Sequence, residues 1–203
     1  TTPPHGGVAE LQPLHLPFRA RGLSWLKGPD SWFDFEHRTG PRLAVVHSLA
    51  QGLHRIDWLG SHLDQAFVSQ RREGYLSAMQ RHGFDSDLCW QTEPSRLEGY
   101  RATRQLLTLP HPPQALIADS SSLGEGAAIA LRETGRLTGP ERIELMVYNG
   151  LPADSVIDTP VASIAQATWP AIGQKAAEMA LRLMAGDPVS SLQILWQPEL
   201  KIP

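Results

Sequence analysis

Arg71 and Arg72 are the residues whose type and position most favour ligand chemistry. The segment FDFEHRTGPRLAVVHSLAQGLHRIDWLGSHLDQAFVSQRREGYLSAM, residues 33–79, predicts a bridging strand, a helix, a short buried strand and a second helix with these arginines in its first turn. A fixed cation there opposes the helix dipole, which indicates a role outside the helix. A guanidinium offers five rigid donors that suit sugar hydroxyls, carboxylates or phosphates. The alternative is an ordinary solvated surface pair.

Two further polar segments follow predicted strands. Residues 119–126, DSSSLGEG, place three serines before a helix, where they could bind an anion or simply cap the helix. The segment lacks the GxxxxGK[ST] pattern of a nucleotide-binding loop. Residues 147–150, VYNG, end another strand, and Asn149 there is either a turn residue or a hydrogen-bonding partner for a ligand.

Other chemistries find little support in the sequence. The 8 histidines show neither HxH nor HExxH spacing, so we expect no metal site. No GxSxG, GxGxxG or catalytic cysteine–histidine pattern occurs, and the acidic residues show no clear pairing, so we expect no cofactor and no enzyme activity. Cys89 is the single cysteine, which excludes an intrachain disulfide, and its apolar neighbours favour a small buried residue over a nucleophile.

The bulk composition is that of a globular chain of 203 residues with a net charge of -3 and 41% hydrophobic residues. Nucleic-acid-binding domains are usually basic, so this charge argues against a DNA-binding surface on this chain but leaves one open on another segment. No apolar run reaches the length needed to span a bilayer, and no signal peptide is visible. The single cysteine fits a reducing cytosol. The chain opens with TTPPHGG, without an initiator methionine, so a trimmed start stays open.

The predicted elements that position these residues alternate between strands and helices. We expect strands at 55–60, 88–92, 115–119, 143–149, 161–166 and 191–196, and helices at 40–51, 66–82, 95–108, 122–134 and 169–185. The apolar side of the first helix is predicted from Leu43, Val46 and Leu49. That of the last helix is predicted from Trp169, Ile172, Ala176, Met179, Ala180 and Leu183. Residues 1–32 allow at most one short helix and one short strand, LPFRA.

Strands alternating with helices indicate a parallel sheet and an α/β fold. Ligands of such sheets bind beyond the carboxyl ends of the strands. That rule selects four polar segments, which we expect to converge on one cleft for a polar ligand: 60–72, 91–95, 119–122 and 148–152.

Several segments, taken together, resemble the effector-binding domain of lactose-repressor-type (LacI/GalR) transcription regulators. Residues 33–60 are similar to the bridging strand, first helix and "GHRRIAFLG" strand of that family, and SQRREGYLSAM to its "R..GY..AL" helix. The family's "AIVCANDLMALGAL" segment is matched by QALIADSSSLGEGAAIALRETG, and "ISVVGFDD.P" by IELMVYNGLP. The final helix region, TPVASIAQATWPAIGQKAAEMALRLMAG, resembles "PPLTTI.QP...IG..A...L...I.G".

The resemblance implies a periplasmic-binding-protein type I-like fold, in which a small effector, often a sugar, lies between two α/β lobes joined by three crossovers. Residues 1–33 would be the end of the N-terminal lobe, 34–164 the C-terminal lobe, and 165–203 a return segment through the N-terminal lobe with a C-terminal strand. The DNA-binding headpiece and the first part of the N-terminal lobe would be absent from this chain.

By position in the family motifs, five residues are implied to contact the effector: Arg71, Asn149, Ser120, Gln166 and Phe35. Arg71 matches the family arginine that binds effector hydroxyls. Asn149 stands where the family usually has aspartate, and Ser120 where it usually has asparagine. Helix 122–134 falls where the family's dimer interface usually includes a helix.

The resemblance therefore implies the ligand-sensing part of a cytoplasmic, sugar-responsive regulator, a repressor by expectation. It would act as a homodimer and touch DNA only through a headpiece that this chain lacks. Two alternatives remain open: a periplasmic sugar-binding protein of a transport system, and a doubly wound α/β enzyme. Residues encoded upstream of Thr1 would distinguish the first alternative, because a regulator needs a helix-turn-helix there and a transport protein a signal sequence.

Overall fold

A computed structural model of the chain describes the backbone of residues 19–21 and all atoms of residues 31–84 and 89–203. Most of the predicted N-terminal segment 1–33 lies outside the described residues, and with it the expectation of at most one short helix and the first part of the predicted strand LPFRA. The last two residues of LPFRA belong to strand β1, Arg19–Arg21.

The described strands and helices alternate along most of the chain, as predicted. The strands are β1 (Arg19–Arg21), β2 (Ser31–Phe35), β3 (Ile56–Ser61), β4 (Cys89–Thr92), β5 (Ala115–Ala118), β6 (Glu144–Tyr148), β7 (Ala162–Ala165), β8 (Gln193–Trp196) and β9 (Glu199–Lys201). The α-helices are α1 (Thr39–Ala50), α2 (Ala66–Arg81), α3 (Arg96–Leu106), α4 (Ser121–Glu133) and α5 (Trp169–Met184). A 3-10 turn, Val189–Leu192, precedes β8.

The strands form two sheets. A 3-stranded parallel sheet has the order β1-β2-β8, and a 6-stranded sheet has the order β4-β3-β5-β6-β7-β9. All pairs in the larger sheet are parallel except β7 with β9, where Ile164 faces Leu200. The predicted α/β fold with a parallel sheet flanked by helices is confirmed.

Each side of the larger sheet has its own apolar core. On one side Leu59, Leu116 and Val147 pack with the helices α3 and α4 through Leu106 and Leu123. The opposite side carries Trp58, Ile117, Met146 and Ile164 against α1 and α2. The strands β3, β5 and β6 are therefore covered on both faces, which explains their nearly continuous apolar sequences.

The apolar side predicted for α1 is wrong. Val46 is 41% exposed, whereas Ala44, Val45 and Ser48 are buried. Helix α1 packs closely on α2, and at the contact the position of Gly74 leaves no room for a Cβ beside the Arg38 backbone. Small residues therefore line the buried side, and the larger leucines lie at its margin.

The apolar stripe of α5 is only partly buried among the described residues. Met179 is 1% exposed and packs with Phe33, Phe35 and Leu192, whereas Trp169 is 76% exposed. Within the described ranges, the packing partners of Met179 come from β2, β8 and the turn before β8.

The strand β9 has no counterpart in the sequence prediction. Its sequence, ELK, has no apolar run, and it is formed by antiparallel pairing with β7. As a result, the chain leaves the larger sheet after β7, enters the smaller sheet at β8 and returns at β9. In the described residues, no helix is long and apolar enough to cross a bilayer.

Candidate functional site

The carboxyl ends of the parallel strands meet at one edge of the larger sheet. The Ser61 amide donates to Asp119 Oδ2 at 2.9 Å, and the Ser121 hydroxyl donates to the Tyr148 carbonyl at 3.2 Å. Gln91 Nε2 donates to the Ser61 carbonyl at 3.4 Å. The predicted convergence of the segments that follow these strands is confirmed, since these bonds join all four of them.

Arg71 lies at this edge and is only 7% exposed. It is the sixth residue of α2, which begins at Ala66, so its predicted place in the first helical turn is wrong. Its Nη1 donates to the Asp119 carbonyl at 2.7 Å, which aims the side chain across the strand ends. The predicted link between Arg71 and the cleft thus rests on this long-range contact, not on the helix dipole.

Two aromatic rings hold the Arg71 guanidinium. Its central carbon lies 3.8 Å from the Tyr148 ring centroid and 4.8 Å from that of Phe67. Such contacts attract a desolvated cation to the ring face. They fix the plane of the guanidinium, so its donors point in defined directions.

Burial shifts the pKa values of two charged groups at this edge, Arg71 and Asp119. Burial lowers the pKa of Arg71, an effect opposed by the neighbouring Tyr148 and Asp119, and a guanidinium remains protonated in proteins. Burial raises the pKa of Asp119, which the Ser61 amide and Arg71 oppose. Arg71 Nε is buried and has no hydrogen-bond partner within the described part of the chain. A ligand oxygen is the natural partner for such a donor.

Arg72 faces away from this site. Its Nε donates to Cys89 Sγ at 3.3 Å, beside an open groove of about 480 Å³ between α2 and β4. Burial raises the pKa of the Cys89 thiol, which agrees with the expectation that it is not a nucleophile. The two adjacent arginines therefore have different surroundings, and only Arg71 belongs to the strand-end edge.

The structure places Ser120 and Asn149 at the same edge. Ser120 is the N-cap of α4 and its hydroxyl accepts from the Leu123 amide at 3.4 Å, so it caps the helix as one alternative predicted. Asn149 is exposed directly after β6, with φ of 60°, a left-handed conformation that asparagine tolerates. Asn149 follows Tyr148 directly, and Ser121, the neighbour of Ser120, bonds to the Tyr148 carbonyl.

Gln166 and Phe35 lie at two of the three connections between the sheets. Gln166 Nε2 is 3.4 Å from His37 Nδ1, which joins the connection after β7 to the one after β2. Phe35 is 2% exposed and packs edge-on against Trp196 at a centroid distance of 6.0 Å. The structure thus brings Gln166 towards Arg71 through His37 and Tyr148, but it sets Phe35 in the core of the smaller sheet.

Sequence reasoning missed Tyr148 and His37. The Tyr148 hydroxyl donates to the His37 carbonyl at 3.1 Å, and His37 Nε2 lies 3.6 Å from Asp34 Oδ1. The only sequence signal for Tyr148 was its place as the last residue of a predicted strand beside Asn149.

Comparison with known proteins gives the chain a context. The family profile described as "Periplasmic binding proteins and sugar binding domain of LacI family" matches residues 29–197. The transcriptional regulator RafR of Escherichia coli is 37% identical over 191 residues, which are 94% of this chain and 57% of that protein. The chain therefore spans little more than half the length of this curated relative.

Solved structures agree with that match. A Yersinia pestis protein described as a transcriptional regulator is 38% identical, with a TM-score of 0.88 over 96% of this chain and 70% of the other. A regulatory protein of the LacI family from Chloroflexus aggregans is 27% identical, with a TM-score of 0.85 over 95% of this chain and 69% of the other.

Proposed function

Because the chain belongs to the family of periplasmic binding proteins and LacI-type sugar-binding domains, we propose that it senses a small carbohydrate for a cytoplasmic transcriptional repressor. The observation that carries this proposal is Arg71, a buried cation held against two rings, with its Nε unpaired in the described residues. A fixed, planar set of donors suits a neutral polyol, whose hydroxyls accept hydrogen bonds. We propose no catalytic activity, since the relatives named above are regulators.

The proposed ligand position is the strand-end edge of the larger sheet. Arg71 would donate to ligand hydroxyls, and Asn149 and Ser120 would add neutral hydrogen-bonding groups from the ends of β6 and β5. Gln166 would contact the ligand from the connection after β7, and Phe35 would support the connection after β2. The proposed lobe division is 1–33, 34–164 and 165–203, with β9 returning to the larger sheet.

The proposed mechanism is a shift between lobe arrangements. A ligand changes such an equilibrium only by its difference in affinity for the two arrangements. Closure of the cleft around a sugar would provide that difference, because groups from both proposed lobes would contact the sugar only in the closed arrangement. DNA would be bound through a headpiece outside this chain.

We also propose that the whole protein is a homodimer. Helix α4, which corresponds to the predicted interface helix 122–134, is largely buried beneath α3 and the sheet. Next to it, Leu97 on α3 is 55% exposed and Val156 in the loop after β6 is 65% exposed. Arg96, which precedes Leu97, pairs with Asp154, two residues before Val156, at 3.0 Å, so the segments that carry these apolar side chains are in contact.

The experiment that tests the proposed function uses the whole protein. Calorimetry with glucose, galactose, sucrose, lactose and raffinose, with adenosine and cytidine as controls, measures ligand class. Mobility-shift assays then measure affinity for a DNA fragment selected from a random-sequence pool. We expect one sugar to bind and to change DNA affinity. Preferential nucleoside binding would contradict the carbohydrate assignment, and absence of DNA selection would contradict the regulator.

A further inference from the structure

Tyr148 touches both the proposed ligand-binding arginine and a connection between the two sheets. It ends β6 and is 1% exposed. Its ring centroid lies 3.8 Å from the guanidinium carbon of Arg71, and its hydroxyl donates to the His37 carbonyl at 3.1 Å. One rigid side chain therefore contacts two regions that are far apart in sequence.

Tyr148 contacts the Arg71 guanidinium mainly through its aromatic face. Among the described residues, Nη1 of the guanidinium donates to the Asp119 carbonyl, the guanidinium also interacts with the Tyr148 hydroxyl, and Nε has no hydrogen-bond partner. A ligand that accepts from the remaining donors would pull or rotate the guanidinium within this frame. Because the Tyr148 ring lies against it, any such movement changes that ring contact.

Tyr148 contacts the first connection between the sheets through its hydroxyl, which bonds to the His37 carbonyl. His37 lies between β2 and α1, the first connection between the sheets, and its ring lies 3.4 Å from Gln166 Nε2 on the second. The position of Gly40 at the start of α1 leaves no room for a Cβ beside the Tyr148 hydroxyl. The hydroxyl is therefore packed tightly against the first connection as well as bonded to it.

We propose that Tyr148 is a positioning residue that relays ligand binding at Arg71 to the connections between the lobes, through its ring on one side and its hydroxyl on the other. This inference rests on the proposed function. The ring and the hydroxyl have different roles: the ring is the main surface against Arg71, whereas the bond to His37 depends on the hydroxyl, which also interacts with the guanidinium.

The test separates these roles with Tyr148→Phe and Tyr148→Leu in the whole protein. Tyr148→Phe keeps the ring, so calorimetry with the tightest-binding sugar of the panel should give a Kd within about threefold of wild type. The change that this sugar makes in DNA affinity should shrink by about tenfold. Tyr148→Leu removes the ring, and the sugar Kd itself should rise by about tenfold.

Tyr75→Phe is the matched control. Tyr75 is also fully buried and donates its hydroxyl to a backbone carbonyl, that of Ile56 at 2.7 Å, but it belongs to the core beside Trp58. A purely structural effect of losing a buried hydroxyl would appear equally in both variants. The relay predicts a smaller DNA response to sugar in Tyr148→Phe alone.

A ligand-free measurement tests the hydroxyl contact by itself. In hydrogen exchange, Tyr148→Phe should speed exchange of the amides of residues 36–40 and 42 by about fivefold, and Tyr75→Phe should not. Unchanged exchange there, or a normal sugar response in Tyr148→Phe, overturns the relay. If wild-type protein binds no sugar, the proposed function fails, a result that is visible without any variant.

Discussion

Individual side chains in this chain differ sharply from their sequence neighbours. Arg71 and Arg72 are adjacent, yet one lies against two aromatic rings at the strand-end edge and the other bonds to a thiol beside an outer groove. From residue type alone, the same ligand-binding role was predicted for both arginines. Their separation follows from the helix, which turns successive side chains by about 100°.

Replacing Arg71 with alanine should therefore affect ligand binding selectively. In the whole protein, Arg71→Ala should raise the sugar Kd by about tenfold to a hundredfold, since hydrogen bonds from a charged donor would be lost. Arg72→Ala is the matched control and should leave the sugar Kd unchanged in the same calorimetric titration. Equal effects of the two substitutions would remove Arg71 from the proposed site.

Asp57 gives the fold a pH-dependent stability. It is 1% exposed, and its Oδ2 has no hydrogen-bond partner within the described residues. Burial raises its pKa from 3.8 to about 7, with Arg55 opposing the shift. The folded state then binds this proton more tightly than the unfolded state, so stability declines as the pH rises from about 4 through about 7.

Asp57→Asn should remove that decline. Urea unfolding should show the variant gaining stability over wild type as the pH is raised, by on the order of a few kcal/mol at pH 8. Asp158→Asn, at an exposed position, serves as the control. A wild-type protein whose stability rises between pH 4 and 8 in step with that of the Asp57→Asn variant would contradict this assignment.

Among the elements, the contact between α1 and α2 depends on one glycine. The position of Gly74 in α2 leaves no room for a Cβ beside the Arg38 backbone. Backbone atoms cannot move aside as a flexible side chain can, so a methyl group here would separate the two helices. This contact also keeps α1 and its preceding connection beside Arg71.

Gly74→Ala should accordingly destabilise the protein by about 1–3 kcal/mol through overpacking. Gly173 in α5 is the matched control, because a Cβ there meets nothing within 4 Å. Gly173→Ala should instead stabilise the protein by about 0.5–1 kcal/mol, the helix propensity of alanine over glycine. Thermal unfolding measures both, and a shift of the same sign in both variants would contradict the close-approach argument.

The elements show which parts of the structure were predictable from the sequence. Strands such as β3 and β5 carry buried apolar runs bounded by glycine or polar residues, so their type and order follow from pattern alone. The strand β9 does not, because its pairing with β7 supplies what its three residues lack. The buried side of α1 was also missed, since close helix packing favoured small residues over leucines.

The candidate site was only partly predictable for a related reason. The strand-end rule located the edge where Arg71, Ser120 and Asn149 lie. The bond from Tyr148 to His37 spans 111 residues of sequence, and no local pattern signals it. Contacts that depend on the final docking of elements become visible only in the fold.

At the scale of the whole molecule, the proposed dimer makes a separate prediction. Leu97→Asp and Val156→Asp should each shift the whole protein from dimer to monomer in analytical ultracentrifugation, because a buried, unpaired carboxylate is costly at an interface. Val46→Asp, at an exposed apolar residue on α1, is the control and should leave the dimer intact. Dimers that survive both substitutions would place the interface on another surface.

The return of the chain to the larger sheet at β9 has a mechanical consequence. Three separate stretches of backbone join the two sheets: after β2, after β7 and between β8 and β9. A single cut in any of them, for example by a protease, leaves two covalent tethers. The stretch after β2 also contacts both of the others, through the Glu36 amide on the Trp196 carbonyl at 2.9 Å and through His37 Nδ1 at 3.4 Å from Gln166 Nε2.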